Sequence, residues 1–307
     1  MTRVALVQKP PVYYDMQASL SRMAELLAQA TSSAEGCDIV AFGESWLCGY
    51  PCWIDHYPDL NRWDDPRMKS LWRKHHDSAL VIGSNHADRL SQIIRDHGVY
   101  VLLGCNERVL SGPGHGGVYN SLLTIAPDGS IINHHRKLVP TYTEKLLYQQ
   151  GDAAGLQAHP TPHGRIGSMI CWEHWMPLAR QTMHDAAEDL HFAVWPMIVK
   201  RHELATQHYA HEGRCYVLSI GQYVTAGDMP DILAGILPDD HVLLSGGSCV
   251  AGPDGEWLYR PDYSALDIVH VELPSLDRLT EERLTLAVSG HYQRPDIFTL
   301  STSRSRL

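Results

Sequence analysis

The order of apolar patterns along the chain predicts an α/β layered domain. Three observations carry it. Strand-like apolar runs alternate with helical periodicity in the N-terminal part, two Pro-Asp-Gly turns mark antiparallel hairpins further on, and no Gly/Ser linker or composition shift divides the 307 residues. Taken in order, residues 2–8 form a short β-branched strand, and Met16, Leu20, Met23, Leu26, Leu27 and Ala30 then recur at steps of three and four, as on an amphipathic helix. The run 38–42 is compact and apolar, as in a strand buried on both faces. Helical spacing returns at Leu90, Ile93 and Ile94, and residues 99–105 make another buried strand. Pro127-Asp-Gly129 and Pro253-Asp-Gly255 are copies of one turn, each expected to close a hairpin within the same sheet system. Residues 165–170 and 191–195 read as strands, 177–187 as a helix, and 276–286 as a closing helix. A single domain spanning 1–307 is expected.

Composition narrows the function. A formal net charge of -10 with no Lys/Arg run argues against a nucleic-acid partner, because a phosphate backbone needs clustered cations. The longest apolar runs are strand length, too short to span a bilayer. The first residues enter a strand at once, so a cytoplasmic protein is expected. Seven scattered cysteines make an odd number, which reads as reduced thiols rather than a disulfide framework. Cys48 and Cys52 have the wrong spacing for a C-x-x-C motif and lack the second pair that would complete a zinc site, so no metal is expected. Gly112-Pro-Gly-His-Gly-Gly117 matches a dinucleotide fingerprint but sits between strands and contains proline, so it reads as a hairpin loop.

Three polar residues stand at ends of strands. Cys171 ends Gly167-Ser-Met-Ile-Cys171 and begins Trp172-Glu-His-Trp-Met-Pro177, a strand-to-helix turn with backbone N–H groups beyond it. Glu44 follows the buried run 38–42, and Lys137 ends the strand leaving the first Pro-Asp-Gly turn. A cysteine nucleophile needs a base and a cation, and these three could supply the set. Each also has a plain structural reading: a core cysteine, a loop carboxylate or helix cap, and a solvated lysine. Three such groups together are harder to dismiss, since ligands of α/β sheets gather at strand ends.

These residues resemble the nitrilase superfamily of carbon–nitrogen hydrolases, whose catalytic set runs Glu–Lys–Cys in chain order. Lys137-Leu-Val-Pro-Thr-Tyr-Thr-Glu144 is similar to the family's lysine segment with its second glutamate, Glu144. Cys171-Trp-Glu-His-Trp-Met-Pro-Leu-Ala-Arg180 is similar to the nucleophile segment of the true nitrilases, and Gly290-His-Tyr-Gln-Arg-Pro-Asp296 to a motif near their C-terminus. The resemblance implies an αββα four-layer sandwich, two sheets flanked by helices, that pairs as a homodimer and often assembles further. It implies no cofactor. Residues 195–212 and the chain after Arg-Pro-Asp are shorter than in this branch, which bears on assembly and on the pocket.

By the same resemblance the substrate is a nitrile, hydrolysed to acid and ammonia through a thioimidate and an acyl-thioester. Glu44 is then the base, Cys171 the nucleophile, Lys137 the cation beside the thiolate, and the Trp172 N–H an oxyanion donor. Glu144 orients Lys137 or the substrate, or is a structural ion-pair partner. Tyr50, Tyr142 and Trp172 lie beside these positions as candidate substrate contacts or as core. Rival readings are a cyanide hydratase or dihydratase, an amidase or N-carbamoyl hydrolase using the same triad, and a non-catalytic assembly protein.

Overall fold

The computed structural model of the chain describes residues 1–32, 36–57, 60–264 and 267–306. It begins with β1 (Thr2–Val7), α1 (Met16–Thr31), β2 (Ile39–Phe42), α2 (Trp53–His56), α3 (Pro66–Asp77), α4 (Asn85–His97) and β3 (Tyr100–Arg108). Strands β4 (Val118–Ile125), β5 (Ile131–Arg136), β6 (His159–Thr161) and β7 (Gly164–Ile170) follow. Then come α5 (Pro177–Asp185), β8 (Leu190–Val194), α6 (Lys200–Gly213) and β9 (Tyr216–Ile220). The chain closes through β10 (Tyr223–Thr225), β11 (Val242–Ser245), β12 (Cys249–Ala251), β13 (Trp257–Tyr259), β14 (Ile268–Leu273) and α7 (Asp277–Glu282).

Two six-stranded sheets form, in the orders β14-β1-β2-β3-β4-β5 and β13-β12-β9-β8-β7-β6. Each has a parallel trio at its centre, β1-β2-β3 in one and β7-β8-β9 in the other, with antiparallel strands outside. Parallel neighbours need a crossover, and helices supply it. Side chains alternate along β1. Ala5 and Val7 pack under α1 and α4 with Leu20, Met23, Leu90 and Ile94, whereas Val4 and Leu6 face the second sheet's core of Ile166, Ile170 and Phe192. Ala179, Met183, Ala205 and Tyr209, on α5 and α6, close the far side of that core. The layers are therefore α-β-β-α, as the resemblance implied.

The helices start where local chemistry allows. Asp15 caps α1 by accepting from the Ala18 N–H, and Ser84 caps α4, which stops at Gly98 in the left-handed conformation. Two expectations need correction. The Pro-Asp-Gly turns do close hairpins, but in different sheets: Gly129 between β4 and β5, Gly255 between β12 and β13. Turn chemistry fixes local geometry and says nothing of which sheet receives the hairpin. The closing helix is only Asp277–Glu282, because only Leu279 of it finds a core to enter. Among the described residues, no helix is long and apolar enough to cross a membrane.

Candidate active site

Three strand ends meet at the seam between the sheets. Glu44 follows β2 and Lys137 follows β5 in the first sheet, while Cys171 follows β7 in the second. The Glu44 loop is tied to the opposite sheet: its N–H donates to the Trp195 carbonyl (3.2 Å) and its carbonyl accepts from Gln222 Nε2 (2.7 Å). Beneath it lies Gly104 of β3, where a Cβ would sit 2.1 Å from the Gly43 carbonyl oxygen and 2.9 Å from the Glu44 Cα. Only glycine permits that approach. The Lys137 N–H is held by the Asn120 carbonyl at 2.8 Å. Cys171 opens a 3-10 turn, Cys171–Trp175, with φ +53, and its neighbours in the site Ser45 (φ +50) and Tyr142 (φ +47) are left-handed too. Such a conformation costs a non-glycine residue about 1–3 kcal/mol, and it collects at functional sites.

The side chains form one buried network. Lys137 Nζ donates to Glu44 Oε1 (2.7 Å) and to both oxygens of Glu144 (2.9 and 2.7 Å). Asn120 Nδ2 adds a bond to Glu44 Oε1 at 2.7 Å, leaving Glu44 Oε2 buried without a hydrogen-bond partner among the described residues. One carboxylate oxygen from each glutamate and the Cys171 sulfur lie within 4.8 Å of one another. Glu144 is in turn fixed by Tyr50 Oη (2.9 Å) and by the Thr141 N–H (2.8 Å).

Electrostatics then assigns the protons. Burial pushes the Glu44 carboxyl up, Lys137 opposes it, Glu144 adds to the push, and the balance falls at about 7. Burial works against the Lys137 charge, yet the two carboxylates bonded to it hold its ammonium well above the ordinary lysine value. The Cys171 thiol is raised by burial and by Glu44, and Lys137 does not outweigh them. Lys137 lowers the thiol's pKa, as a neighbouring cation should, without making a resting thiolate. The thiol is neutral, and it stands beside a carboxylate able to take its proton near neutral pH. The three donors could also surround a metal ion, but the Lys137 ammonium already bonds both carboxylates and would have to be expelled.

A cavity of about 160 Å³ opens over Cys171 and Glu144. Tyr50 and Trp172 line it, with Pro196, Met197 and Leu244 opposite; Tyr142, largely exposed, stands at its mouth. Three polar residues essential to this geometry escaped the sequence reading. Asn120 interrupts the apolar run of β4, which was a usable signal. Gln222 gave none. Glu173 lay inside the nucleophile motif, and its two oxygens bind the Leu138 N–H, the Ile170 N–H and His135 Nε2, joining the segments that carry Lys137 and Cys171.

A family model described as carbon-nitrogen hydrolase matches residues 3–280. A prokaryotic protein named nitrilase 2 is 34% identical over 304 residues, covering 98% of this chain and 92% of its own length. An aliphatic nitrilase of Sinorhizobium fredii is 33% identical over 302 residues, with coverage of 97% and 94%. A bifunctional nitrilase/nitrile hydratase of Lupinus angustifolius is 31% identical over 306 residues, with coverage of 97% and 85%. The fold is shared with a carbon-nitrogen hydrolase of Helicobacter pylori (TM-score 0.72, 18% identity, 96% of each chain). It is also shared with a nitrilase-superfamily member of Saccharomyces cerevisiae (TM-score 0.73, 17% identity, 95% and 97%). With a family match across most of its length and the four-layer fold of those structures, the chain belongs to the carbon–nitrogen hydrolase family, the nitrilase superfamily, and is a hydrolase of C–N bonds.

Proposed function

We propose that this enzyme is a nitrilase, converting a small organic nitrile and two waters to a carboxylic acid and ammonia. The observation that carries the chemistry is the Cys171 sulfur in a left-handed turn, within 4.8 Å of carboxylate oxygens of Glu44 and Glu144, with Lys137 bonded to both. Glu44 takes the thiol proton and delivers it to the nitrile nitrogen as Sγ attacks the carbon, giving a thioimidate. A water deprotonated by Glu44 adds to that carbon. Lys137 and the Trp172 N–H stabilise the charge of the tetrahedral species. Glu44 returns the water's proton to nitrogen and then relays the remaining hydroxyl proton to it, so ammonia leaves as the thioester carbonyl forms. A second water cleaves the acyl-thioester, giving the acid and restoring the thiol. Glu144 holds Lys137 in place, and Tyr50 holds Glu144.

Choice of a nitrile over an amide rests on the relatives named nitrilase and on the Cys171-Trp-Glu-His174 segment. The cavity, with Trp172, Met197 and Leu244 on its walls, suits a compact apolar substituent. A panel of butyronitrile, benzonitrile, phenylacetonitrile and cyanide, each beside its amide, tests the assignment by ammonia release and product identification. Acid and ammonia from at least one organic nitrile are expected, and none from Cys171→Ala. Turnover of amides alone would make the enzyme an amidase; formamide as the sole product from cyanide would make it a hydratase. We propose further that the enzyme works in the cytoplasm, and that it acts as a homodimer or larger assembly, as the family resemblance implies.

A further inference from the structure

Something must hold Cys171 in its strained turn, and a buried chain of polar side chains ends on its carbonyl. His174 Nδ1 lies 2.7 Å from the Cys171 carbonyl oxygen, and His174 Nε2 lies 2.9 Å from His191 Nε2. His191 Nδ1 is 2.7 Å from Glu188 Oε2, and Tyr209 donates its hydroxyl to Glu188 Oε1. All four side chains are buried, and none borders the cavity over Cys171. The mechanism above uses none of them.

Chemistry fixes the direction of this chain. A carbonyl oxygen only accepts, so His174 Nδ1 carries a hydrogen. Burial and the neighbouring His191 keep His174 neutral, so its Nε2 is an acceptor and His191 Nε2 donates to it. Burial alone would raise Glu188, but His191 and His184 outweigh it and hold the group at about 2, a carboxylate that accepts from His191 Nδ1. With both ring nitrogens donating, His191 is an imidazolium paired with the Glu188 carboxylate, which orients it, and its Nε2–H fixes the tautomer of His174. Ring packing locks the pose: His191 stacks on Tyr209 at 4.0 Å, and His174 lies against Trp195 at 4.8 Å.

We propose that His174, oriented by His191 and Glu188, is a positioning residue for the nucleophile. Its Nδ1–H clamps the Cys171 carbonyl and holds the left-handed turn that keeps Sγ beside Glu44. The inference rests on Cys171 being the nucleophile. Nothing in it requires His174 to touch substrate.

The test measures kcat and KM of folded variants with the fastest substrate of the panel. His174→Asn keeps an N–H donor where Nδ1 stood and should retain kcat within about 5-fold, whereas His174→Leu should lose about 100-fold in kcat with KM little changed, the signature of a misplaced nucleophile. His191→Phe preserves the stack on Tyr209 but removes the donor to His174, and about a 10-fold loss in kcat is expected. A folded His174→Leu with wild-type kcat would overturn the proposal, as would a His174→Asn that falls as far as the leucine variant. If His174→Leu does not fold, wild-type kcat in His191→Phe overturns it, and a reduced kcat with unchanged KM supports it. Turnover by Cys171→Ala is a separate outcome that removes the nucleophile assignment itself.

Discussion

Where one proton sits decides the chemistry at the scale of single residues. The Cys171 thiol is held neutral by burial and by Glu44, so attack waits for a base, and Glu44 ionises at about 7 because burial and Glu144 oppose Lys137. Below that value Glu44 is protonated and cannot accept; above it the carboxylate is present while Lys137, held well above its ordinary value, stays charged. kcat/KM should therefore rise tenfold per pH unit on the acid side and level off past about 7, since this profile reports the free enzyme's base. Glu44→Gln should abolish that limb with most of the activity. A flat profile between pH 5 and 8 in the wild-type enzyme would point to another base, with Glu144 the nearest.

Elements act through their ends. The strand before Cys171 was legible as an apolar run, yet the group that ties it to the Lys137 strand was not. Glu173 accepts locally from the Ile170 N–H, and it also accepts from the Leu138 N–H and the His135 imidazole, two contacts that arise only once β5 and β7 are brought together. Sequence cannot separate such a carboxylate from a solvated one. Because both oxygens are fully used as acceptors, Glu173→Gln sets an amide N–H₂ against existing donors. A loss of about 1–3 kcal/mol in unfolding stability is expected from denaturant titration. A fall in kcat of about 10- to 100-fold should accompany it, since the two segments shift relative to each other. Wild-type kcat at reduced stability would limit Glu173 to a structural role. Helix α3 buries only Leu71 and His75, so its apolar signal is faint and it carried no expectation. α6 was also missed: its inward face is mostly small or polar, with His202, Ala205, Thr206, Tyr209 and Ala210.

On the scale of the whole molecule, two sheets of matching design face one another, and the site exists only at their seam. A groove of about 840 Å³ lies elsewhere, between α5 and the C-terminal segment, with exposed Leu178, Tyr292, Ile297 and Phe298 around it. Exposed apolar groups gathered in this way suit contact with a second copy. Sedimentation velocity should find a dimer or larger species, and Phe298→Glu should shift it toward monomer. A fully active wild-type monomer at micromolar concentration would refute the assembly reading.

Composition and pattern by themselves determined a good deal here: a layered α/β chain, strand ends at Glu44, Lys137 and Cys171, and the motifs that carry the family likeness. Those are local properties, set by side-chain period and by turn residues. Tertiary structure alone decided that the two Pro-Asp-Gly hairpins belong to different sheets. It also decided that Asn120 and Gln222 support Glu44, and that the thiol rests protonated. The reason is physical. A buried pKa, or a buried hydrogen bond such as the 2.7 Å one from Asn120 to Glu44, depends on groups distant in the chain, and their separation is fixed only when the sheets close on each other.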